Sequence, residues 1–313
     1  MRLRRAGAWF VAVLALVALP YLLLDDERVP LDDVARQEGR LFASLPSGRT
    51  HYEIAGPDGA PMLLLVHGTT TPSMAWNKNV AALAAAGFRV VRYDLYGRGL
   101  SDRVDSDYGL DLLVGQLEDL VAHLAPDGPV HLAGFSLGGM VVTEFTLRHP
   151  ERVGRVALLA PAGVGTDLPL SAKLARAPLL GEYLTRVIGT RELRPSRRDV
   201  ARPERHPELD DAYLRTIRYE GSRQAVLETI RSVPFHGYDE QFRRLGNLGK
   251  PVLLIWGRQD AVVPFENSGR VRDLVRDLGQ AWARPPEMVS KRPAATGRGC
   301  ANSITTWSLC RGA

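Results

Sequence analysis

Apolar residues in this chain fall into short runs separated by stretches of helical spacing. Met62–Val66, Arg89–Tyr93, Val130–Phe135, Val156–Ala160 and Val252–Trp256 are compact runs rich in Val, Leu and Ile. Unbroken apolar runs of this length predict strands buried on both faces. Trp76–Ala86, Leu110–Leu124 and Leu137–His149 instead place apolar residues three and four positions apart, the helical period. Leu41–Leu45 and Thr50–Ile54, joined by Pro46-Ser47-Gly48-Arg49, predict a hairpin ahead of the alternation. Strands alternating with helices predict an α/β fold built on a doubly wound, mostly parallel sheet. Between Gly163 and Leu248 the alternation stops. Helical spacing persists in Leu168–Val187 and Asp211–Val233 among Arg, Glu and Pro, which predicts a helical insertion lying over the sheet as a lid.

The N-terminus follows another pattern. Arg2, Arg4 and Arg5 precede an uncharged run, Ala6–Leu24, and Asp25, Asp26 and Glu27 close it. As a helix this run measures roughly 28 Å, close to a bilayer core. The expectation is a single-pass membrane anchor over residues 1–28, its basic flank cytoplasmic and the remainder of the chain extracytoplasmic. A cleaved signal, giving a secreted protein, is the rival, but no A-x-A site follows the apolar run.

Composition narrows the classes. Of 313 residues, 45% are hydrophobic and 24% charged, a globular balance rather than a disordered one. Two cysteines exclude a disulfide framework and a cysteine-rich metal module. The net charge of +5 invites a nucleic-acid reading, but residues 279–313 hold Arg284, Lys291, Arg292, Arg298 and Arg311 against Glu287 alone. That stretch carries four of the five net charges, and the rest of the chain is nearly neutral. No basic face for nucleic acid is expected.

One motif carries chemistry. Gly134-Phe135-Ser136-Leu137-Gly138-Gly139 lies between a predicted strand and a predicted helix. This is a G-x-S-x-G nucleophile elbow in its required setting: a sharp turn presents the serine at the sheet edge, and Gly134 and Gly138 let the backbones pass closely. Ser136 would sit at the positive end of the following helix.

With this elbow the sequence resembles the α/β-hydrolase superfamily, in its esterase, lipase and haloperoxidase-like branch, over about Leu41–Leu278. His67-Gly68-Thr69 resembles the family's oxyanion loop. Asp94-Leu95-Tyr96-Gly97-Arg98-Gly99-Leu100-Ser101 resembles its D-x-x-G-x-G-x-S loop, and Gly257-Arg258-Gln259-Asp260-Ala261-Val262-Val263-Pro264 its G-x-x-D-x-x-x-P acid loop. The resemblance implies core segments over 29–162 and 249–278 with a lid over 163–248. It implies Ser136 as the nucleophile, the N–H groups of Thr69 and Leu137 as an oxyanion hole, and Asp260 as the triad acid. His67 and Gly68 are then structural members of the oxyanion loop, and Asp94 a structural loop residue rather than a second acid. The implied substrate is a small molecule with an ester or related acyl bond. No metal or organic cofactor is implied. Carbon–carbon bond hydrolases and cofactor-free haloperoxidases use the same residue set.

The family order requires a histidine after the acid, and here the pattern fails. The last histidine is His236. From Gly279 the apolar periodicity ends, Pro285, Pro286 and Pro293 interrupt any helix, and Cys300 and Cys310 appear. This predicts an aberrant, disordered tail over 279–313, as from a frameshift near Leu278, with the last strand and helix missing or scrambled. Val252–Trp256 would then be an exposed sheet edge, and one sheet face would lose its cover. An enzyme crippled by loss of its triad base is expected. A catalytically inactive ligand- or partner-binding protein is the alternative, and His206 or His236 in the lid are substitute bases to test.

Overall fold

A computed structural model describes residues 9, 15–24, 27–31, 39–125, 127–165, 168–189, 213–275 and 278–283. Among the described residues eight strands form one sheet: β1 (Leu41–Leu45), β2 (Gly48–Ala55), β3 (Met62–Val66), β4 (Arg89–Tyr93), β5 (Val130–Phe135), β6 (Val153–Leu159), β7 (Val252–Gly257) and β8 (Leu278–Ala283). Their spatial order is β1-β2-β4-β3-β5-β6-β7-β8. β1 and β2 form the expected hairpin, and β2 meets β4 antiparallel. The other pairings are parallel. Helices among the described residues include α1 (Asn77–Ala85), α2 (Leu110–Leu124), α3 (Leu137–Arg148), α4 (Leu170–Ala175), α5 (Leu180–Val187), α6 (Ser222–Ser232), α7 (Asp239–Asn247) and α8 (Asn267–Leu274).

The period-2 geometry of β3 shows how the layers arise. Leu64 and Val66 join Leu113, Leu117, Met140 and Phe242 in a core on one face. Leu63 and Leu65 point to the other face, against Trp76, Leu83 and Phe88. Both faces are therefore dry, which explains the unbroken apolar runs. Within α2 the buried positions Leu113, Val114, Leu117, Leu120 and Val121 keep the spacing seen in the sequence. α4–α7 lie between β6 and β7 in the chain. Of these, α7 contributes Phe242 and Leu245 to the main core, while α6 lies over the β4 loop.

The structure differs from expectation at both ends. Leu278–Ala283 forms β8, in register with all of β7 from Val252↔Leu278 to Gly257↔Ala283, so β7 is not an edge. Gly and Ala give this segment little strand propensity. Pairing with an existing neighbour supplies its backbone hydrogen bonds regardless of side chain, and context overrides propensity in sheets. The remainder of the expected 279–313 tail, residues 284–313 with Cys300 and Cys310, lies outside the described residues. On the second face α1 and the 3₁₀ turn Ser73–Trp76 are the helical cover within the cluster.

The single-pass anchor is corrected. Among the described residues no helix is long and apolar enough to cross a membrane. The described helical stretch 15–23 is less than half the length that a bilayer core requires. It also runs against the insertion: Arg186 Nε–H donates to Tyr21 O at 2.7 Å, and the Tyr21 and Tyr183 rings stack at 6.1 Å. Arg2, Arg4 and Arg5 lie outside the described residues. Further on, Val29 bridges Tyr219 and Glu27 accepts from the Arg223 N–H, which docks the segment at the start of α6.

Candidate active site

β5 ends at Phe135 and α3 begins at Leu137, leaving Ser136 alone to make the turn. Its dihedrals are φ 52° and ψ −122°. That region costs a non-glycine residue about 1–3 kcal/mol. Three backbone bonds hold it there. Ser136 N–H donates to Leu159 O at 3.1 Å, and Ser136 O accepts from Gly139 N at 2.9 Å and Ala162 N at 3.0 Å. The turn closes only because its neighbours are small. A Cβ on Gly134 would lie 2.2 Å from Gly138 O, and one on Gly138 would lie 2.3 Å from Val66 O. The Ser136 side chain is half-buried at the C-terminal edge of the sheet.

The loop after β3 rides over this elbow. A Cβ on Gly68 would meet the Phe135 ring at 2.7 Å and Ser136 Cβ at 3.3 Å. Beneath it, His67 is fully buried. Leu95 N–H donates to His67 Nε2 at 2.9 Å, so the ring proton sits on Nδ1, which donates to Gly68 O at 2.8 Å. Burial lowers the His67 pKa to about 4, against the opposing pull of the Asp94 charge. His67 is thus a neutral fixture with both nitrogens occupied, and it has no free position for moving a proton. Because a peptide unit is planar and trans, fixing Gly68 O also fixes the opposite direction of Thr69 N–H. Neither Thr69 N–H nor Leu137 N–H has an acceptor among the described residues.

The β4 loop is built around Asp94. Its Oδ1 accepts from Ser73 N–H at 2.9 Å, and its Oδ2 from Leu100 N–H and His51 Nδ1, both at 2.9 Å. Burial alone would raise this carboxyl. The hydrogen bond and charge of His51 and the Ser73 N–H outweigh burial and hold it well below the usual carboxylate range. Gly99, at φ 51°, lies so close that a Cβ would sit 2.2 Å from Asp94 Oδ2. Both carboxylate oxygens of Asp94 are engaged inside the loop.

Asp260 follows β7 and is half-buried. Its Oδ1 accepts from Val262 N–H at 3.0 Å and Val263 N–H at 2.9 Å, and Trp256 Nε1–H donates to Val263 O at 2.8 Å. One carboxylate oxygen is thereby clamped, while the other has no donor among the described residues. The ends of β5 and β7 are separated by β6, so Ser136 and Asp260 stand two strand spacings apart along the sheet edge.

No described histidine bonds to Ser136 or Asp260. His51 is engaged with Asp94, and His149 Nε2 faces Glu118 Oε1 at 3.0 Å. His131 packs on Phe88 beside Gly154, with its pKa lowered by burial and then by Arg155. His123 and His236 are exposed. His206 lies outside the described residues. Among the described residues, no group of three or more His, Cys, Asp and Glu could hold a metal ion.

Two residues that matter here were passed over in the sequence. Gln116 is buried on the apolar face of α2. Its Nε2 donates to Thr50 Oγ1 and Asp94 O, and its Oε1 accepts from Tyr96 N–H. A lone amide on an otherwise apolar helix face was its readable signal. Arg98, between two glycines of the loop motif, is buried and donates to Thr69 O and Thr229 Oγ1.

The family model described as alpha/beta hydrolase fold matches residues 61–281. The chain belongs to the α/β-hydrolase fold family. It is 29% identical over 255 residues to 2-hydroxy-6-oxononadienedioate/2-hydroxy-6-oxononatrienedioate hydrolase 1 of Pseudomonas putida, covering 76% of this chain and 86% of that protein. It is 26% identical over 271 residues to the carboxylesterase YbfK of Bacillus subtilis, covering 80% and 85%. The fold matches that of an enol-lactonase from Burkholderia xenovorans LB400, with a TM-score of 0.64 and 21% identity over 78% of this chain and 91% of that one. These named relatives are hydrolases, a carboxylesterase among them, in keeping with an α/β-hydrolase enzyme.

Proposed function

We propose that this chain is a serine hydrolase of carboxylesterase or lipase type whose turnover is limited by the absence of a triad histidine. The observation that carries the reading is the Ser136 backbone at φ 52°, a strain that three backbone bonds maintain at the mouth of the sheet. Ser136 Oγ attacks an acyl carbonyl. The developing oxyanion is met by Thr69 N–H and Leu137 N–H, the latter in the first turn of α3. The alcohol leaves, taking a proton, and water then hydrolyses the acyl-enzyme. The Ser136 proton needs a base oriented by an acid, and Asp260, with one oxygen clamped and one open, is the acid. The helices between β6 and β7 form the lid. In a serine protease, losing the histidine costs about as much as losing the whole triad, on the order of 10⁶ in turnover.

Exogenous imidazole tests this, because a small base can enter the place a side chain lacks. Hydrolysis of p-nitrophenyl acetate and butyrate is expected to be slow and to rise with imidazole, beyond the rise seen with Ser136→Ala. Equal imidazole-dependent rates in both proteins would sink the proposal. The P. putida relative supports a second reading, hydrolysis of a carbon–carbon bond by the same serine. Presenting a 2-hydroxy-6-oxo-dienedioate beside the esters, with imidazole, separates the two.

A further inference from the structure

Arg98 is 2% exposed and has no carboxylate partner among the described residues. Burial lowers its pKa to about 10, so it stays charged at neutral pH. The guanidinium reaches three separate pieces of the molecule. Nε–H donates to Thr69 O at 3.0 Å, in the loop after β3. Nη1–H donates to Tyr96 O at 3.0 Å, in its own loop. Nη2–H donates to Thr229 Oγ1 at 2.6 Å, on α6. The Thr229 hydroxyl proton is directed to Ala225 O at 2.9 Å, with Tyr108 O at 3.3 Å as a second acceptor, which leaves its oxygen free to accept. A guanidinium is one rigid plane, so its donors move together.

We propose that Arg98 is a positioning residue through which the seating of lid helix α6 sets the geometry of the oxyanion loop. This rests on the reading of Thr69 N–H as an oxyanion donor. The Thr69 Cα lies between two peptide units. The Gly68–Thr69 unit, which carries the donor N–H, is turned by His67 from the core. The Thr69–Thr70 unit, which carries Thr69 O, is held by Arg98 and through it by α6. If α6 lifts, Nη2 loses its acceptor, and a buried cationic donor without a partner is costly. The planar side chain then follows the helix or releases Thr69 O, and either motion loosens the loop. A ligand that seats the lid would thereby complete its own oxyanion hole.

Amide hydrogen exchange tests this coupling without requiring turnover. In the unsubstituted protein at rising sub-denaturing urea, residues 68–75 and 222–232 are expected to lose protection in one shared step. Thr229→Val is expected to speed exchange in 68–75 roughly tenfold, the size of one lost hydrogen bond to a charged group, although residue 229 makes no hydrogen bond to that loop. Thr229→Ser keeps the acceptor and is expected to restore the unsubstituted rates. Exchange that rises only within α6, or α6 opening while 68–75 stays protected, would overturn the proposal. If Thr229→Val does not fold, the urea series decides alone. Failure of the hydrolase reading is seen separately, in Ser136-dependent ester hydrolysis.

Discussion

Leu95 N–H donates to His67 Nε2 at 2.9 Å, and this bond decides which imidazole nitrogen carries the proton. With Nδ1 protonated, Gly68 O is engaged and Thr69 N–H is turned away from the core. Protonating His67 would leave Leu95 N–H facing another N–H. The folded pKa of about 4 lies below the ordinary value of 6.5, so the stabilisation is fully present above that value. It is lost as pH falls toward 4, because in that window the unfolded chain binds more protons. The expected loss is about 3 kcal/mol at most. Urea midpoints measured from neutral pH down to the folded pKa should fall, and His67→Gln should flatten part of the slope. His131 shifts in the same direction, so the flattening is incomplete.

Ser136 holds its position at a cost in backbone strain. Its φ of 52° is unfavourable because of the Cβ. Ser136→Gly removes that Cβ while adding the entropy cost of glycine. The expected result is a protein as stable as the parent or about 1 kcal/mol more stable by urea unfolding, with no serine-dependent chemistry. A variant destabilised by several kcal/mol would show that the elbow is not strained.

Gly138 is the opposite case. A Cβ there meets Val66 O, a backbone atom of a central strand that cannot move aside. Gly138→Ala is expected to cost roughly 3 kcal/mol, measured by the same unfolding.

Glu27 places its carboxylate on the Arg223 N–H in the first turn of α6, and Val29 bridges Tyr219 beside it. The residue acts as a cap supplied from a distant segment. Glu27→Ala is expected to cost about 1–2 kcal/mol, with faster amide exchange concentrated in 222–232.

Much of this molecule was legible from its pattern. Met62–Val66, Arg89–Tyr93 and Leu110–Leu124 were bounded by the period of their apolar residues alone, because burial on both sheet faces or one helix face dictates that period. The elbow was legible because close backbone passage admits so few residue types. β8 was not legible, since Leu-Gly-Gln-Ala-Trp-Ala carries little apolar signal and its pairing is supplied by β7. The N-terminal run misled in the other direction. Apolar composition alone does not distinguish a membrane span from a helix lying against α5, and the described stretch takes the second arrangement. Arg98 and Gln116 escaped because their roles depend on backbone carbonyls and amides that no sequence motif displays.

The central claim is that Ser136 is a preorganised nucleophile lacking only its base. Intact-mass analysis after incubation with a fluorophosphonate, with and without imidazole, tests it most directly. One adduct on Ser136 is expected, slow in buffer, accelerated by imidazole and absent from Ser136→Ala. Rapid labelling without imidazole would show that the chain supplies its own base, and labelling that persists in Ser136→Ala would contradict the assignment of the nucleophile.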